Sequence, residues 1–341
     1  MQITQERQIG HRMSYYYAPR GRGRMYAMGM QLAQQYLKPS DKIIGIIGES
    51  GSGKSALIHG MFPGLDLTND DDGVYVRPLP LLNLDSGYFS PHTYHMDVRF
   101  ENGFTQMSRL ADAVSEAVHK GKRVVIEHFD LLYPMLGARA DILIGVGEDI
   151  VISRPSLFGP EPDEIKQIVY KSLPYRLMSH TAEDMCEIFI PEEDLLHVGH
   201  ADISHGFVIT FPYEPKFNLR EVEAKTHEII AQKLPIAYVD EEHISIGGNV
   251  QPCSGPRVHV SNTGLVEDFH LLYHFIHDKF NDRYLMVGCV GKENLEKLRA
   301  LEVQMERHDR FEESGFQDGG MGGFGGFGGL PGFGGQNDWI F

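Results

Sequence analysis

The chain has 341 residues, of which 42% are hydrophobic and 23% charged, enough for two domains with separate cores. With 31 Lys and Arg against 47 Asp and Glu, the formal net charge is -16, which excludes broad charge-driven adhesion to nucleic acid or to anionic membranes. Three cysteines, no apolar N-terminal segment and no run of about 18 apolar residues favour a cytoplasmic protein without a disulfide framework, and no membrane partner is expected.

The N-terminal residues 1–40 are expected to form an arm and a helix. Tyrosines and arginines mix over residues 15–24, a composition that can stack on bases and pair with phosphates. A solvated arm leading into the first helix is the alternative, because short arginine runs are common. Helical spacing over residues 25–37 ends at Pro39 and predicts that helix.

Short apolar runs alternate with helical segments through residues 41–160. This alternation predicts an α/β domain whose mostly parallel sheet is covered by helices on both faces. The runs that predict strands are 43–47, 79–84, 123–127, 142–146 and 149–153, and the helices are predicted over 55–62 and 104–119.

A glycine-rich loop joins the first of these strands to the helix that follows it. It matches G-x-x-x-x-G-K-S in full, with Gly48, Glu49, Ser50, Gly51, Ser52, Gly53, Lys54 and Ser55. Backbone N–H groups in such a loop close around phosphate oxygens, Lys54 reaches the β- and γ-phosphates, and the Ser55 hydroxyl ligates magnesium. The loop therefore predicts binding of ATP or another nucleoside triphosphate with Mg²⁺.

Two further strings resemble the uridine kinase and phosphoribulokinase branch of P-loop kinases. L-D-S-G-Y-F at residues 84–89 looks like that family's L-D-D-F-Y, and V-V-I-E-H-F at 124–129 is similar to its V-I-V-E-G-F. The resemblance implies that Asp85 is the catalytic base and that Glu127 lies near the magnesium. A strand-end cap is the other interpretation of Asp85. The polar stretch 91–97 is a candidate lining for a phosphate-acceptor pocket.

The second half begins after three prolines within residues 154–163. Strands near 207–211 and 284–290 and helices near 219–233 and 293–307 predict an α+β domain over residues 165–300. Residues 301–341 are expected to finish a helix and continue as a tail that is too rich in glycine to offset its ordering entropy. We therefore expect a disordered C-terminal tail.

C-S-G-P-R-V-H-V-S-N-T-G at residues 253–264 looks like the C-x-G-P-H-V-x-x-T-G signature of the second additional domain, the editing-type module of threonyl- and alanyl-tRNA synthetases. His180 and Asp184 occupy the places of that module's H-x-x-x-H pair, and the resemblance covers residues 172–291. Positions i and i+4 share a helix face, so His180 and Asp184 could hold a zinc ion with Cys253 and His259. A surface histidine and a small buried cysteine are the alternatives.

These features predict an ATP-binding P-loop protein, an NTPase or small-molecule kinase, whose editing-like domain selects an amino acid, a small phosphate acceptor or a tRNA end. A nucleotide-gated aminoacyl-tRNA deacylase is the alternative. A third hypothesis is a nucleotide-switched interaction protein without enzymatic activity.

Overall fold

The computed structural model describes residues 13–69, 79–84 and 91–313. The described residues up to Ala300 group into one compact unit, and the described residues 301–313 belong to a second. Over the described residues the protein is mixed α/β, with a sheet that contains parallel strands. Asp85 and the tail from residue 315 lie outside the described residues.

The first half builds a six-stranded sheet in the order β1-β6-β5-β2-β4-β3. Strands β5, β2, β4 and β3 run parallel, so their carboxyl ends lie at one edge. Strand β6 runs antiparallel to β5, and β1 runs antiparallel to β6. The strands are β1 Ser14–Tyr17, β2 Ile43–Ile47, β3 Thr93–Asp97, β4 Arg123–Glu127, β5 Ile142–Val146 and β6 Asp149–Ser153. The helices are α1 Arg22–Tyr36, α2 Lys54–Met61, α3 Val98–Glu101, α4 Met107–His119 and α5 Phe129–Leu136.

Every residue of β2 is buried, because helices cover both faces of the sheet. Helices α4 and α5 contribute to the core on one face, and α1 and α2 contribute to the core on the other. Helices α1 and α2 cross at Gly29 of α1 and Gly60 of α2. A Cβ on Gly60 would collide with the carbonyl oxygen of Tyr26. Small residues therefore set the close approach of α1 and α2.

The second half contains two antiparallel sheets. One has the order β12-β14-β8-β7 with β13 also paired to β14, and the other is a β11-β10-β9 meander. The strands are β7 Gly199–Ile203, β8 Gly206–Phe211, β9 Ile236–Asp240, β10 His243–Ile246, β11 Asn249–Pro252, β12 His270–Leu271, β13 Ile276–Asp278 and β14 Arg283–Cys289. The helices are α6 Pro162–Glu187, α7 Glu192–Leu195, α8 Leu219–Gln232 and α9 Lys292–Glu313.

Helix α6 is shared by the two halves. It starts with a capping box in which Glu161 and Glu164 satisfy each other's backbone N–H groups. Ile165 in its first turns packs into the core of the six-stranded sheet, and Met185 near its end packs into the core of the second half. The boundary expected near residue 160 thus falls immediately before a helix that enters both cores.

Four predicted strands, 43–47, 123–127, 142–146 and 149–153, are confirmed with the same bounds. The strand predicted over 79–84 is wrong: Pro80–Asn83 is a 3₁₀ helix, because Pro80 has no N–H to give to a central ladder. The second parallel strand is instead β3, so the polar stretch 91–97 is mostly a buried strand rather than a loop.

The solvated arm expected over residues 15–24 is also wrong. Ser14–Tyr17 pairs with β6 as an edge strand, with alternate side chains exposed, and Arg20 is only 4% exposed. Successive side chains of a strand point to opposite faces, which accounts for the alternation of exposed and partly buried residues along β1. Among the described helices, none combines the length and the apolar character that crossing a bilayer requires.

Candidate functional site

The loop 48–55 runs from the end of β2 into the first turn of α2, at the carboxyl edge of the parallel strands. Gly51 and Gly53 have φ angles of 77° and 86°, a left-handed conformation that glycine adopts without strain. Gly53 is the N-cap of α2, so the positive end of that helix faces the loop. Lys54 Nζ lies 3.0 Å from the carbonyl oxygen of Glu49. This arrangement suits an anion-binding loop.

Glu127 ends β4, next to the strand that carries the loop, and is 3% exposed. Its Oε2 lies 3.5 Å from Lys54 Nζ, and its Oε1 lies 3.0 Å from His95 Nε2. Burial raises the pKa of Glu127, but the hydrogen bond from His95 and the charge of Lys54 outweigh it and bring the pKa to about 2. The sequence-predicted pair Lys54 and Glu127 is therefore brought together, with Glu127 ionised.

His95 is held in one tautomer behind this carboxylate. The backbone N–H of Thr68 donates to His95 Nδ1 over 3.0 Å, so Nδ1 is the acceptor. The ring proton is therefore on Nε2, which donates a hydrogen bond to the Glu127 carboxylate. The ring is 2% exposed and fixes the direction of the Glu127 carboxylate.

Asp97 ends β3 and lies opposite Glu127 in the parallel register. Ligand atoms of Asp97, Glu127 and His128 all lie within 4.8 Å of one another, and two of the three are carboxylates of the kind that magnesium prefers. Asp97 also caps α3 by accepting from the backbone N–H of Phe100. From the sequence, Asp97 is only one member of the candidate acceptor-pocket stretch 91–97 and has no role of its own, because the second strand is predicted over 79–84. An Asp at the carboxyl end of a parallel strand is the signal that indicates a metal-binding position.

One arginine lies at this end of the loop. Arg99 Nη1 is 2.7 Å from Glu49 Oε1, and both side chains are partly exposed. This pair could not be predicted from the sequence, because Arg99 belongs to a four-residue helix that follows a strand the sequence pattern does not reveal.

The four residues expected to bind zinc also lie together. Cys253 Sγ is 3.7 Å from His180 Nε2 and 3.2 Å from His259 Nε2. Asp184 Oδ1 is 3.4 Å from His180 Nε2, and its Oδ2 is 3.5 Å from His259 Nε2. We call these four residues the HDCH cluster. All four side chains are buried, in the core of the second half.

The spacing of the HDCH cluster fits a tetrahedral ion. With Zn–S of about 2.3 Å and Zn–N or Zn–O of about 2.0–2.1 Å, ligand atoms at tetrahedral angles are about 3.6 Å apart for sulfur with nitrogen and about 3.4 Å for nitrogen with oxygen. In the described part of the chain, Asp184 Oδ2, which lies 3.5 Å from His259 Nε2, is buried without a hydrogen-bond partner. The donor set, the spacing and this unsatisfied oxygen all suit a bound zinc ion.

Without an ion, burial disfavours charge throughout the cluster. Burial lowers the pKa of His259 to about 4 and that of His180 well below its usual range. Burial, with Glu187 and Glu183 nearby, raises the pKa of Asp184 well above its usual range, and burial also raises that of Cys253. A divalent cation would reverse these preferences for the thiol and the carboxylate.

Helix α6 and one loop place these ligands. His180 and Asp184 are one turn apart on α6, and Cys253 and His259 flank a tight segment in which the Gly255 N–H donates to Cys253 Sγ over 3.3 Å. Gly255 has no space for a side chain, since a Cβ would lie 2.6 Å from His180 Cε1. Thr181 Oγ1, 3.4 Å from His259 Nδ1, orients the second histidine from behind.

Among the described N-terminal residues, Arg20 and Arg24 do not form the phosphate-pairing surface that the composition of residues 15–24 suggests. Arg20 Nε lies 2.7 Å from Asp202 Oδ1 and 3.4 Å from Glu183 Oε2, and Arg24 lies 2.9 Å from Asp202 Oδ2. These charges pair with carboxylates of the second half, because residues 18–24 pass between the two halves of the unit.

No known protein-family model matches the chain, and no curated protein matches its sequence.

Proposed function

We propose that this protein binds Mg²⁺ and a nucleoside triphosphate at the loop 48–55 and transfers the terminal phosphoryl group to water or to a small acceptor. The observation that carries the proposal is the position of Glu127, which is buried, ionised and 3.5 Å from the ammonium group of Lys54 in the glycine-rich loop. That combination places a cation for phosphate beside a carboxylate for magnesium.

Each residue has a distinct role in this proposal. Backbone N–H groups of the loop cradle the phosphates, Lys54 moves from the Glu49 carbonyl onto the β- and γ-phosphates, and Ser55 ligates the metal. Mg²⁺, when bound, would neutralise charge on the phosphates. Glu127, held in place by the hydrogen bond from His95, would help to hold that ion. Asp97, which has a carboxylate oxygen within 4.8 Å of ligand atoms of Glu127 and His128, would accept the proton of an acceptor hydroxyl.

The test is nucleotide binding followed by turnover. Lys54→Ala should abolish binding of Mg-ATP in calorimetry and release of ADP in the presence of a panel of nucleosides and amino acids. Lys42→Ala is the matched control, because that lysine precedes the same strand at its opposite end and its ammonium group donates to the Gly121 carbonyl rather than to the loop. Well-folded wild-type protein that binds neither Mg-ATP nor Mg-GTP would refute the proposal.

The HDCH cluster supports a second element of the function. Four protein ligands complete a tetrahedron and leave no open position for water, and this favours a structural zinc over a catalytic one. We therefore propose that zinc fixes the second half, which recognises the phosphate acceptor, an amino acid or a tRNA end. The deacylase alternative would require one ligand, most simply Asp184, to leave the ion during turnover.

Elemental analysis tests this second element. Wild-type protein should hold about one zinc per chain, and Cys253→Ser should lose it. Cys289→Ser is the control, because Cys289 is also buried but belongs to β14 outside the cluster. Release of an amino acid from mischarged tRNA, lost in Cys253→Ser, would instead establish the deacylase.

A further inference from the structure

Arg176 is a buried arginine on α6 that reaches the phosphate loop. Its Nη1 donates to the carbonyl oxygens of Ser52 over 2.5 Å and Gly147 over 3.3 Å, and its Nη2 donates to Pro19 O over 2.6 Å. The residue is 3% exposed. Burying a guanidinium is costly, so its three bonds to main-chain carbonyls indicate a specific task for this residue.

The bond to Ser52 fixes the orientation of one peptide unit in the loop. In a trans peptide the C=O of Ser52 and the N–H of Gly53 point in opposite directions. Because Arg176 holds the carbonyl on its own side, the Gly53 N–H is directed away from α6 and into the loop. Donors that already point at the ligand avoid the cost of reorganising when an anion binds.

Both segments that supply the HDCH cluster touch the same loop. Arg176 lies one turn before His180 on α6, so a rigid helix joins the loop to two of the cluster ligands. On the other side, the carbonyl oxygen of Arg257, between Cys253 and His259, lies 3.0 Å from the position of a Cβ on Gly51. Movement of either segment would therefore displace the loop.

We propose that Arg176 is a positioning residue that pre-orients the phosphate loop, and that through α6 it couples phosphate binding energetically to the HDCH cluster. This inference rests on the proposed nucleotide-binding function. Arg176 is proposed to act through the Ser52 carbonyl, on the side of the loop opposite the N–H groups that face the phosphate, and not by contacting the phosphate.

The first test measures affinity for Mg-ATP and for Mg-tripolyphosphate by calorimetry. Arg176→Gln should weaken both ligands equally, by roughly tenfold to a hundredfold, because a charged hydrogen bond to the loop is lost. Arg176→Lys, which keeps one charged donor, should lose less. Arg154→Gln is the control: it removes an arginine bound to Asp41 and the Tyr36 carbonyl, remote from the loop, and should leave both affinities unchanged.

Chemical rescue separates positioning from general damage. Arg176→Ala should regain affinity for Mg-tripolyphosphate when guanidinium is added below its denaturing range, and wild type should not respond. Unchanged affinity in folded Arg176→Gln, or no rescue of folded Arg176→Ala, would overturn the positioning role. Wild type that binds neither ligand would instead defeat the proposed function itself.

The second test measures the coupling on zinc-loaded protein. Mg-ATP should raise the zinc affinity of the wild type about fivefold or more, measured by equilibrium competition with a chromogenic chelator, and Arg176→Gln should reduce this effect. By reciprocity, zinc removal should weaken Mg-ATP binding to the wild type by the same factor. Equal zinc affinities with and without Mg-ATP, or a wild-type protein that takes up no zinc, would overturn the coupling.

Discussion

Replacing Glu148 with Gln should make the protein less sensitive to alkaline pH. Glu148 lies between β5 and β6, is 7% exposed, and accepts from the backbone N–H of His205 over 2.6 Å. Burial raises its pKa to about 8, although the bond from His205 and the charges of Arg20 and Arg176 oppose the shift while Asp149 adds to it. At neutral pH the carboxyl group is therefore mostly protonated in the folded state.

The sign of the effect follows from the two pKa values. Between the unfolded value of 4.5 and the folded value of about 8, the folded protein holds a proton that the unfolded chain has released. The contribution of Glu148 to the free energy of unfolding is therefore greatest below the unfolded pKa and falls as pH rises to the folded one. At about 1.4 kcal/mol per pH unit, raising the pH from about 6 to about 8 costs about 2–3 kcal/mol.

Urea unfolding at about pH 6 and about pH 8 measures this difference. Glu148→Gln has the shape of the protonated acid and cannot ionise, so it should lose less stability than wild type over this interval and be the more stable protein at the higher pH. The neighbouring His205 and Asp149 titrate in both proteins, so the difference isolates Glu148. Glu116→Gln, at an exposed helix pair with Lys120, should follow wild type. Parallel curves for wild type and Glu148→Gln would refute the reasoning.

Two further substitutions test the packing and the HDCH cluster. Gly60→Ala should lower the free energy of unfolding by about 1–3 kcal/mol, because its Cβ collides with the Tyr26 carbonyl. Gly23→Ala, which has open space around its Cβ, should raise the free energy of unfolding by about 0.5–1 kcal/mol. Thermal unfolding in which both variants shift the midpoint alike would contradict the first prediction. Asp184→His should hold zinc at least as well as wild type after dialysis against a chelator, since imidazole is an accepted zinc ligand, and loss of the metal would argue against Asp184 as a ligand.

The parts of the fold that followed from the sequence are those in which burial alone decides the structure. Strands β2, β4, β5 and β6 are nearly continuous apolar runs, as expected for strands covered on both faces, and their bounds matched. Strand β3 could not be predicted from its sequence, because the polar residues His95 and Asp97 interrupt the apolar pattern expected of a buried strand. Those two side chains lie in a buried strand because Thr68, Asn69 and Glu127 satisfy them, which only the folded structure reveals.

The same division applies to the sites. The phosphate loop is local in sequence, so spacing and flanking elements predicted it. The HDCH cluster joins α6 to a distant loop, and only a resemblance suggested that these residues meet. Arg176 could not be predicted, because its partners are main-chain carbonyls, which carry no sequence signature.

The pairing of the N-terminal arginines bears on which partner the second half can recognise. Arg22 lies 2.8 Å from Glu241, and Arg20 and Arg24 pair with Asp202, so positive charge near the phosphate loop is neutralised within the fold. A tRNA end would have to compete with these carboxylates for the arginines, in a chain whose net charge is -16. A small acceptor needs only a few polar contacts beside the terminal phosphate. Under the phosphoryl-transfer function proposed here, this charge distribution favours a small-molecule acceptor over a polyanionic one.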